Sequence, residues 1–198
     1  MGLKQDRANV SFSHPAKGPN RSGYVWMAPL GTTLPTDATT DLDAKFVGLG
    51  YISEDGLTEP ASYSDGDSTN DAGGEEIAKT DPTFSKTWTG TAVEVLNVDL
   101  LKAVYGPDNV TVDATTKAIT IKDQGRSLEE WVIVVDELLK GGRRQRSVMP
   151  DATFLITDDT QHHYSDLLGY GFTITAYATA DNPPQTRYIA GTTASAGA

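Results

Sequence analysis

Residues 127–149 read SLEEWVIVVDELLKGGRRQRSVM, and the structure of this stretch decides the fold class. Its first four residues match a helix-capping box, and its apolar residues recur at helical spacing. The run from Val132 to Val135 favours a strand instead, because β-branched side chains prefer pleated surfaces. These residues alone leave both structures open and favour the strand. A strand would continue through a hairpin turn at 140–143 into a returning strand that ends at Pro150.

Most of the negative charge lies in one polar stretch, Asp37 to Asp81, where twelve acidic residues face two lysines. A block of this kind buries too little apolar surface to order itself and is usually a solvated loop. Stretches typical of strands lie at 24–30 and 46–52, before residue 53, and at 84–95, after residue 81. The pattern predicts a β-rich body from which a long acidic loop, residues 53–81, projects. A loop of that length in a compact domain is usually either functional or disordered.

The composition of the 198 residues excludes several classes of function. A net charge of −11 disfavours an electrostatic grip on nucleic acid, because such binding uses clustered Lys and Arg. The absence of cysteine excludes disulfides, thiol catalysis and thiolate metal sites. Residues 1–23 form a polar arm without a secretory signal, and no stretch is apolar enough for a membrane span. We therefore expect a protein that is cytosolic when it is made.

The periodicity changes to that of a helix at Val98–Tyr105. Asn97 is a suitable N-cap, and Gly106 with Pro107 ends the helix. A helix of two turns is not stable alone, so we expect its apolar stripe to pack on a sheet. Further strands are predicted at 110–113 and 118–121, as a hairpin, and at 153–157 and 170–180. Residues 190–198 are small and polar and are expected to form a flexible tail. The helical stripe consists of Leu100, Leu101, Val104 and Tyr105.

Two clusters of polar residues are candidates for binding. The first has the order of calcium ligands in an EF-hand, but Asn70 replaces the required glycine and no helices flank it. The second is the only basic cluster, for which we weigh salt bridges to a neighbouring subunit, nucleic-acid binding and a solvated edge strand, and favour the first. No catalytic pattern is present, so we expect neither an enzyme nor a cofactor. The calcium candidates are Asp65, Asp67, Thr69, Asp71 and Glu76, and the basic cluster is Arg143, Arg144 and Arg146.

Three parts of the sequence, taken in order, resemble the major tail protein, or tail tube protein, of long-tailed, non-contractile bacteriophages. None is a catalytic fingerprint, so the resemblance rests on their combination. The first part is YVWMAPLGTTLPT at 24–36 with FVGLGYISEDGLTE at 46–59, the second is EVLNVDLLKAVYG at 94–106 with DNVTV at 108–112, and the third is VVDELLKGGRRQRSVMP at 134–150. The resemblance treats residues 24–189 as one β domain and interprets 127–149 as largely strand.

The resemblance implies a mainly β fold of two packed sheets with one short flanking helix, carried over to residues 98–105. It implies a structural virion protein whose copies form hexameric rings with one continuous β-barrel, which stack into the tail tube, a conduit for DNA delivery. The implied partners are other copies of the chain and the tape measure, tail terminator and tail-tip proteins. DNA would pass through the lumen without specific binding, and no membrane is involved.

The same resemblance suggests where the subunits meet. The family's long loop reaches the neighbouring ring, and it corresponds here to residues 53–81. A net-acidic protein could also line the lumen with carboxylates that repel the duplex. The alternative from another class is a monomeric β-sandwich module for adhesion, tail decoration or calcium binding. The predicted self-assembly residues are Glu54, Asp55, Leu57, Tyr63, Asp65, Asp67, Arg143, Arg144 and Arg146.

Overall fold

The computed structural model describes residues 6–17, 22–125 and 128–191 of the chain. Within these residues the structure is mainly β with a single α-helix, which confirms the predicted fold class. The helix is α1 (Val98–Tyr105), and the strands are β1 (His14–Lys17), β2 (Ser22–Gly23), β3 (Val25–Pro29), β4 (Val47–Gly48), β5 (Ile52–Thr58), β6 (Tyr63–Ser64), β7 (Ser68–Asn70), β8 (Glu76–Lys79), β9 (Thr83–Phe84), β10 (Lys86–Ala92), β11 (Val110–Val112), β12 (Ile119–Ile121), β13 (Glu130–Leu138), β14 (Arg144–Ile156), β15 (Tyr170–Ala176) and β16 (Thr186–Ile189).

Strands β13 and β14 form the long hairpin that the opening stretch of sequence predicts. They pair antiparallel from Glu130 opposite Thr153 to Leu138 opposite Arg144. The strand interpretation is confirmed and the helical one is wrong, because residues 132–137 are buried without a break, as in a strand covered on both faces. The turn contains two glycines with φ of 76°, a conformation that other residues rarely adopt. Ser127, the first residue of the capping box, lies outside the described residues.

The returning strand is longer than predicted, because β14 continues through Pro150 to Ile156. The pairing shifts at this point: Ile133 lies opposite Met149, whereas Trp131 lies opposite Ala152. The strand therefore carries a bulge at Pro150. Proline cannot donate to a sheet ladder, and a bulge is one of the few places in a strand that accepts it. The expected stop at Pro150 is wrong, and the strand predicted at 153–157 is the second half of β14.

Ten strands belong to one large sheet, whose main path is β2-β1-β13-β14-β15-β10-β5. Strand β3 pairs with β13 and carries β4, and β16 pairs with the first half of β14. The pairs β11–β12, β6–β9 and β7–β8 form separate ladders, and the first of them is the predicted hairpin. The resemblance implied two packed sheets, whereas the described strands join into one sheet through the β13–β14 hairpin. That sheet does not close into a barrel within the described part of the subunit.

The main core lies between α1 and one face of the large sheet. It unites residues from strands that are far apart in the sheet, such as Met27 in β3 and Trp88 in β10, so the sheet must curve around it. The buried residues of this core are Val25, Met27, Leu49, Trp88, Ala92, Leu100, Ala103, Ile133, Val135, Met149, Ala152, Phe154, Phe172, Ile174 and Ala176.

A second core covers the opposite face of β3 and β13. In β13, Val132 and Val134 point into this second core, while the alternate residues Ile133 and Val135 point into the main one. The cover is supplied by the segment 34–46, whose Leu34, Leu42 and Phe46 pack there. The centre of the sheet is therefore buried on both faces, which explains the unbroken apolar run in its sequence.

Helix α1 has the bounds that the sequence predicts. The Asn97 side-chain oxygen accepts hydrogen bonds from the N–H groups of Asp99, at 3.0 Å, and Leu100, at 3.3 Å. Gly106 follows the last turn with φ of 91°, and its N–H donates to the carbonyl of Lys102 at 2.8 Å. Both ends of this short helix are thus satisfied locally.

The predicted stripe of α1 faces the sheet at its centre and becomes more exposed at its end. Leu100 and Leu101 are buried, and Val104 packs partly buried against the main core. Tyr105 is half-buried, and its ring meets that of Tyr170 edge to face, with the centroids 6.2 Å apart. Burial, helped by the hydrogen bond with Tyr105, raises the pKa of Tyr170 to about 12.

The N-terminal stretch is partly built into the sheet. His14 and Pro15 lie opposite Leu138 and Glu137 of β13, and β2 pairs with β1 in turn. At the other end, β16 ends at Ile189 and the Ala190 N–H donates to the carbonyl of Arg144 at 2.8 Å. The rest of the predicted C-terminal tail, residues 192–198, lies outside the described residues.

Candidate assembly surface

The part of the acidic stretch from β5 onward forms a two-stranded ribbon with the chain that returns to β10. Leu57 lies opposite Gly90, Tyr63 opposite Phe84 and Thr69 opposite Ala78. From the first of these pairs to the last, each strand advances by twelve residues, so the three ladders share one register as far as Thr69; the pairing shifts between Thr69 and Asn70, next to the tip. We call residues 59–85 the arm. The sequence predicted a projecting acidic loop at 53–81 and left its order open; in the structure this segment is β-paired, because pairing satisfies the backbone without any need for a buried face.

Side-chain contacts across the arm are few and lie on its surface. Every residue of its four short strands is exposed. The rings of Tyr63 and Phe84 meet edge to face with centroids 5.0 Å apart, and Lys79 Nζ lies 3.2 Å from the carboxylate of Asp65. The arm therefore presents aromatic and charged side chains to its surroundings and has no core of its own.

An aspartate organises the turn at the tip of the arm. The Asp71 carboxylate accepts hydrogen bonds from the N–H of Gly73, at 2.8 Å, and of Glu75, at 2.9 Å. The Asp71 N–H donates to the carbonyl of Glu75 at 2.8 Å. These bonds close the tip with groups that belong to the tip itself.

A charged network fixes the root of the arm to the body. The Glu59 carboxylate accepts hydrogen bonds from Lys86, in β10, and from Arg187, in β16. Burial opposes the ionisation of Glu59, but the hydrogen bonds and charges of these two partners outweigh it and hold its pKa below the usual value. Gln185 connects the network to the core, since it accepts the Trp88 indole N–H at 2.8 Å and donates to Glu59 at 3.3 Å. Sequence reasoning missed this network.

The EF-hand pattern does not form a calcium loop in this structure. Asp65 pairs with Lys79, the Asp71 carboxylate caps the tip, and Glu76 accepts a hydrogen bond from the Ser68 hydroxyl at 2.8 Å. Thr69 lies in strand β7, and Asp67 is exposed beside the ladder. The five residues are thus spread along an extended ribbon. Among the described residues, no group of three or more His, Cys, Asp or Glu side chains is arranged to hold a metal ion.

The basic cluster is divided between the surface and the interior. Arg143 and Arg144 are half-buried and donate to the carbonyls of Ala190 and Lys17, each at 3.2 Å. Arg146 has only 1% of its surface exposed and pairs with Asp136 at 2.9 Å. It cannot form a salt bridge to a neighbouring subunit, so its assignment to the assembly surface is corrected.

Arg146 instead anchors the segment that covers the second core. Its guanidinium donates to the carbonyls of Asp37, at 3.1 Å, and Thr40, at 2.7 Å. The Asp37 carboxylate accepts bonds from the hydroxyl and N–H groups of Thr40 and Thr39, which hold its pKa far below the usual range. The segment 34–46 is therefore fixed by hydrogen bonds from the buried Arg146 and by the hydrogen bonds of its own exposed turn at Asp37.

The remaining predicted assembly residues lie on β5, at the edge of the large sheet. Glu54 and Asp55 are exposed, next to an irregularity in the pairing with β10. Leu57 is half-buried and packs against the main core. Strand β5 pairs only with β10 among the described strands, so its outer edge is open. An open edge offers unpaired N–H and C=O groups to another chain.

Comparison with known protein families identifies a match over most of the chain. The model of a family described as phage tail tube protein matches residues 20–198, nearly the whole chain. No curated protein matches the chain. None of the described helical segments is long and apolar enough to cross a membrane.

Proposed function

The chain belongs to the phage tail tube protein family, and we propose that its copies form stacked hexameric rings whose joined sheets enclose a conduit for the phage genome. Membership of the family makes the protein a structural component of the virion tail. The observation that carries the proposal is a large sheet that is open at β5 and does not close within the described subunit. A protein that works alone usually protects such an edge.

Pairing between copies would satisfy both ends of the sheet. Strand β5 is seven residues long and pairs on one side only within the described part of the chain. The opposite end of the sheet offers β2 and β4, each of which likewise has one described partner. Joining one end of a subunit to the other end of the next copy produces a closed ring, and closure removes every edge.

The arm has the length and chemistry needed to reach a second ring. From Leu57 to the tip at Asp71, the extended chain covers roughly 45 Å at the usual rise of a β-strand. The arm also exposes Tyr63, Ile77 and Phe84, with exposed fractions of 72%, 65% and 49%. We propose that these side chains are buried in the contact between rings, with the exposed Asp65 and Asp67 at its margin.

The proposal extends to the partners of the finished tail. Self-assembly into a tube together with other tail proteins is what the family implies. We propose that the tape measure, tail terminator and tail-tip proteins are these partners. Assembly would take place in the host cytoplasm, and DNA would pass through without specific binding.

Negative-stain electron microscopy of the purified, concentrated protein tests the proposal. We expect hollow rings or tubes. Particles that remain monomeric at every concentration and with an added tail-tip nucleus would overturn it, and a calcium-dependent change in such particles would support a monomeric binding module.

A shortened variant tests the role of the arm. Ser64 and Thr83 lie opposite each other in the arm. Replacing residues 65–82 by Asn-Gly therefore joins them through a two-residue hairpin turn. We expect a folded subunit that forms no stacked tubes. The matched control replaces residues 114–117 of the β11–β12 hairpin by Asn-Gly, which should leave the tubes intact. Normal tubes from the shortened-arm variant would show that the arm does not mediate stacking.

A further inference from the structure

Where β10 and β15 cross the large sheet, the face turned away from the main core carries threonine hydroxyls. Every second residue of β10 from 87 to 91 is an outward-pointing threonine, and in β15 Thr173 and Thr175 follow the outward Gly171, while Trp88, Phe172 and Ile174 point into the main core. The pairing aligns these threonines across the sheet, with Thr58 opposite Thr89, Thr89 opposite Thr173, and Thr87 opposite Thr175. We call this surface the threonine face; it consists of Thr58, Thr87, Thr89, Thr91, Thr173 and Thr175.

The threonine face is open to solvent in the subunit. Each of its residues is half-buried or exposed, although Gly169 lies beside Thr91 and the Asp158 side chain covers Gly171 at one end of the face. At its margin, the hydroxyls of Thr157 and Thr173 lie 2.9 Å apart. Threonine suits this position, because its β-branched side chain favours a strand and neighbouring threonines across strands stabilise the pairing.

If β10 and β15 form part of the wall of a closed ring, only the threonine face of these strands can point inward. The other face of β10 and β15 is buried under the main core, which contains Leu100 and Ala103 of α1. The body of the subunit must then lie outside the barrel. We infer that the threonine face lines the channel of the tube, an inference that rests on the proposed ring.

This surface would give the channel a lining made mainly of neutral, hydrated side chains. The outward positions of β10 and β15 from residue 87 to 91 and from 171 to 175 carry no charged side chain. The exposed Asp158 carboxylate lies beside Gly171 at one margin of the face, and the exposed Glu54 and Asp55 lie on β5 at the other. A neutral hydroxyl displaces no counterions from DNA, so it gives phosphates no salt-dependent attraction. Threonine hydroxyls would thus form most of the lining, with carboxylates only at its margins.

The absence of cysteine from the sequence allows a direct test. Thr89→Cys and Thr175→Cys each place a single thiol on the threonine face. Thr111→Cys is the matched control, because Thr111 is also an exposed strand threonine, and its hairpin contacts α1 on the far side of the main core. Each variant is treated, as free subunits and as assembled tubes, with a small maleimide and with a polymer-linked maleimide too large to enter a tube.

In free subunits, both reagents should label all three variants. In tubes, Thr89→Cys and Thr175→Cys should lose labelling by the large reagent and keep labelling by the small one, whereas Thr111→Cys should keep both. Labelling of Thr89→Cys and Thr175→Cys by the large reagent in intact tubes would place the threonine face outside, and loss of both labels would place it in a subunit contact. Either result overturns the inference while leaving the tube proposal intact. A failure of the unmodified protein to form tubes would instead overturn the proposed function, and the channel with it.

Discussion

The body and the arm are built from the same secondary structure but are stabilised in different ways. In the centre of the body, β13 has six consecutive buried residues and packs on both faces. In the arm, all residues of β6 to β9 are exposed, and a few cross-strand pairs are the main side-chain contacts. Burial of apolar surface is the largest stabilising contribution in a fold, and a two-stranded ribbon alone is marginal in water. The arm is therefore ordered locally and has surface left to bury on assembly.

Phenylalanine occurs in both regions, so the same change to alanine can be made in the body and in the arm. Phe172 is fully buried and stacks on Phe154 at a centroid distance of 5.0 Å, whereas Phe84 in the arm is 49% exposed. Phe172→Ala should lower the free energy of unfolding by about 3–5 kcal/mol, because it leaves a cavity in the main core. Phe84→Ala should cost less than about 1 kcal/mol. Urea denaturation of both variants measures the difference, and equal losses would show that the arm is part of the cooperative core.

Ion pairs provide a second test of the same contrast. Arg146→Ala leaves the Asp136 carboxylate buried without its charged partner and should cost about 3–5 kcal/mol. Replacing both residues, by Arg146→Met with Asp136→Leu, should recover most of that loss, since neither charge of the buried pair then remains. Lys79→Ala breaks the exposed pair of the arm and should leave the unfolding midpoint unchanged. If Arg146→Ala were equally harmless, the guanidinium could not be the anchor of the segment 34–46.

Elements whose signals are local could be predicted from the sequence. Helix α1 is marked by the cap at Asn97 and the stop at Gly106, so its bounds agree to the residue. The β11–β12 hairpin and β15 are likewise marked by alternation and by turn residues. The β13 segment carried two conflicting local signals, and long-range packing on both faces decided between them. Its returning strand was cut short at Pro150, because a bulge depends on the partner strand and leaves no mark in the local sequence.

The candidate site was harder to predict, because its contacts join distant parts of the chain. The Arg146–Asp136 pair follows from the hairpin register, yet a count of charges treats every arginine as a surface residue. Glu59 and Arg187 are 128 residues apart, and nothing in the sequence links them. The arm did leave a signal, since Asp71-Ala-Gly-Gly is typical of a turn. Its high acidic content concealed that signal, because polarity was taken to exclude pairing.

Glu59 lies where the arm joins the body, and its titration should show how firmly they are connected. Its pKa in the folded protein is lowered by Lys86 and Arg187, so the unfolded protein binds the proton more tightly. The resulting stability is fully present above the unfolded pKa and is lost as the pH falls through the folded value. Glu59→Gln should remove this contribution and flatten the decline of the melting temperature below about pH 4.5. Identical pH profiles for the two proteins would show that the network contributes nothing to folding.

A small effect on overall stability is also expected at the tip of the arm. Asp71→Ala removes the carboxylate that accepts the N–H groups of Gly73 and Glu75. Because this turn is exposed and far from either core, the free energy of global unfolding should change by less than about 0.5 kcal/mol. Hydrogen exchange should nevertheless accelerate in β7 and β8, which open without unfolding the body.

Asn97→Ala is the matched control for that experiment, because it removes a side-chain cap of the same kind from a helix packed in the main core. It should lower global stability by about 1 kcal/mol. If Asp71→Ala lowered the global unfolding midpoint as much as Asn97→Ala does, the arm and the body would unfold as one unit. The arm would then be rigid before assembly. An effect confined to exchange within the arm means that its order is set locally, so that contact with a second ring can supply the stability that the isolated ribbon lacks.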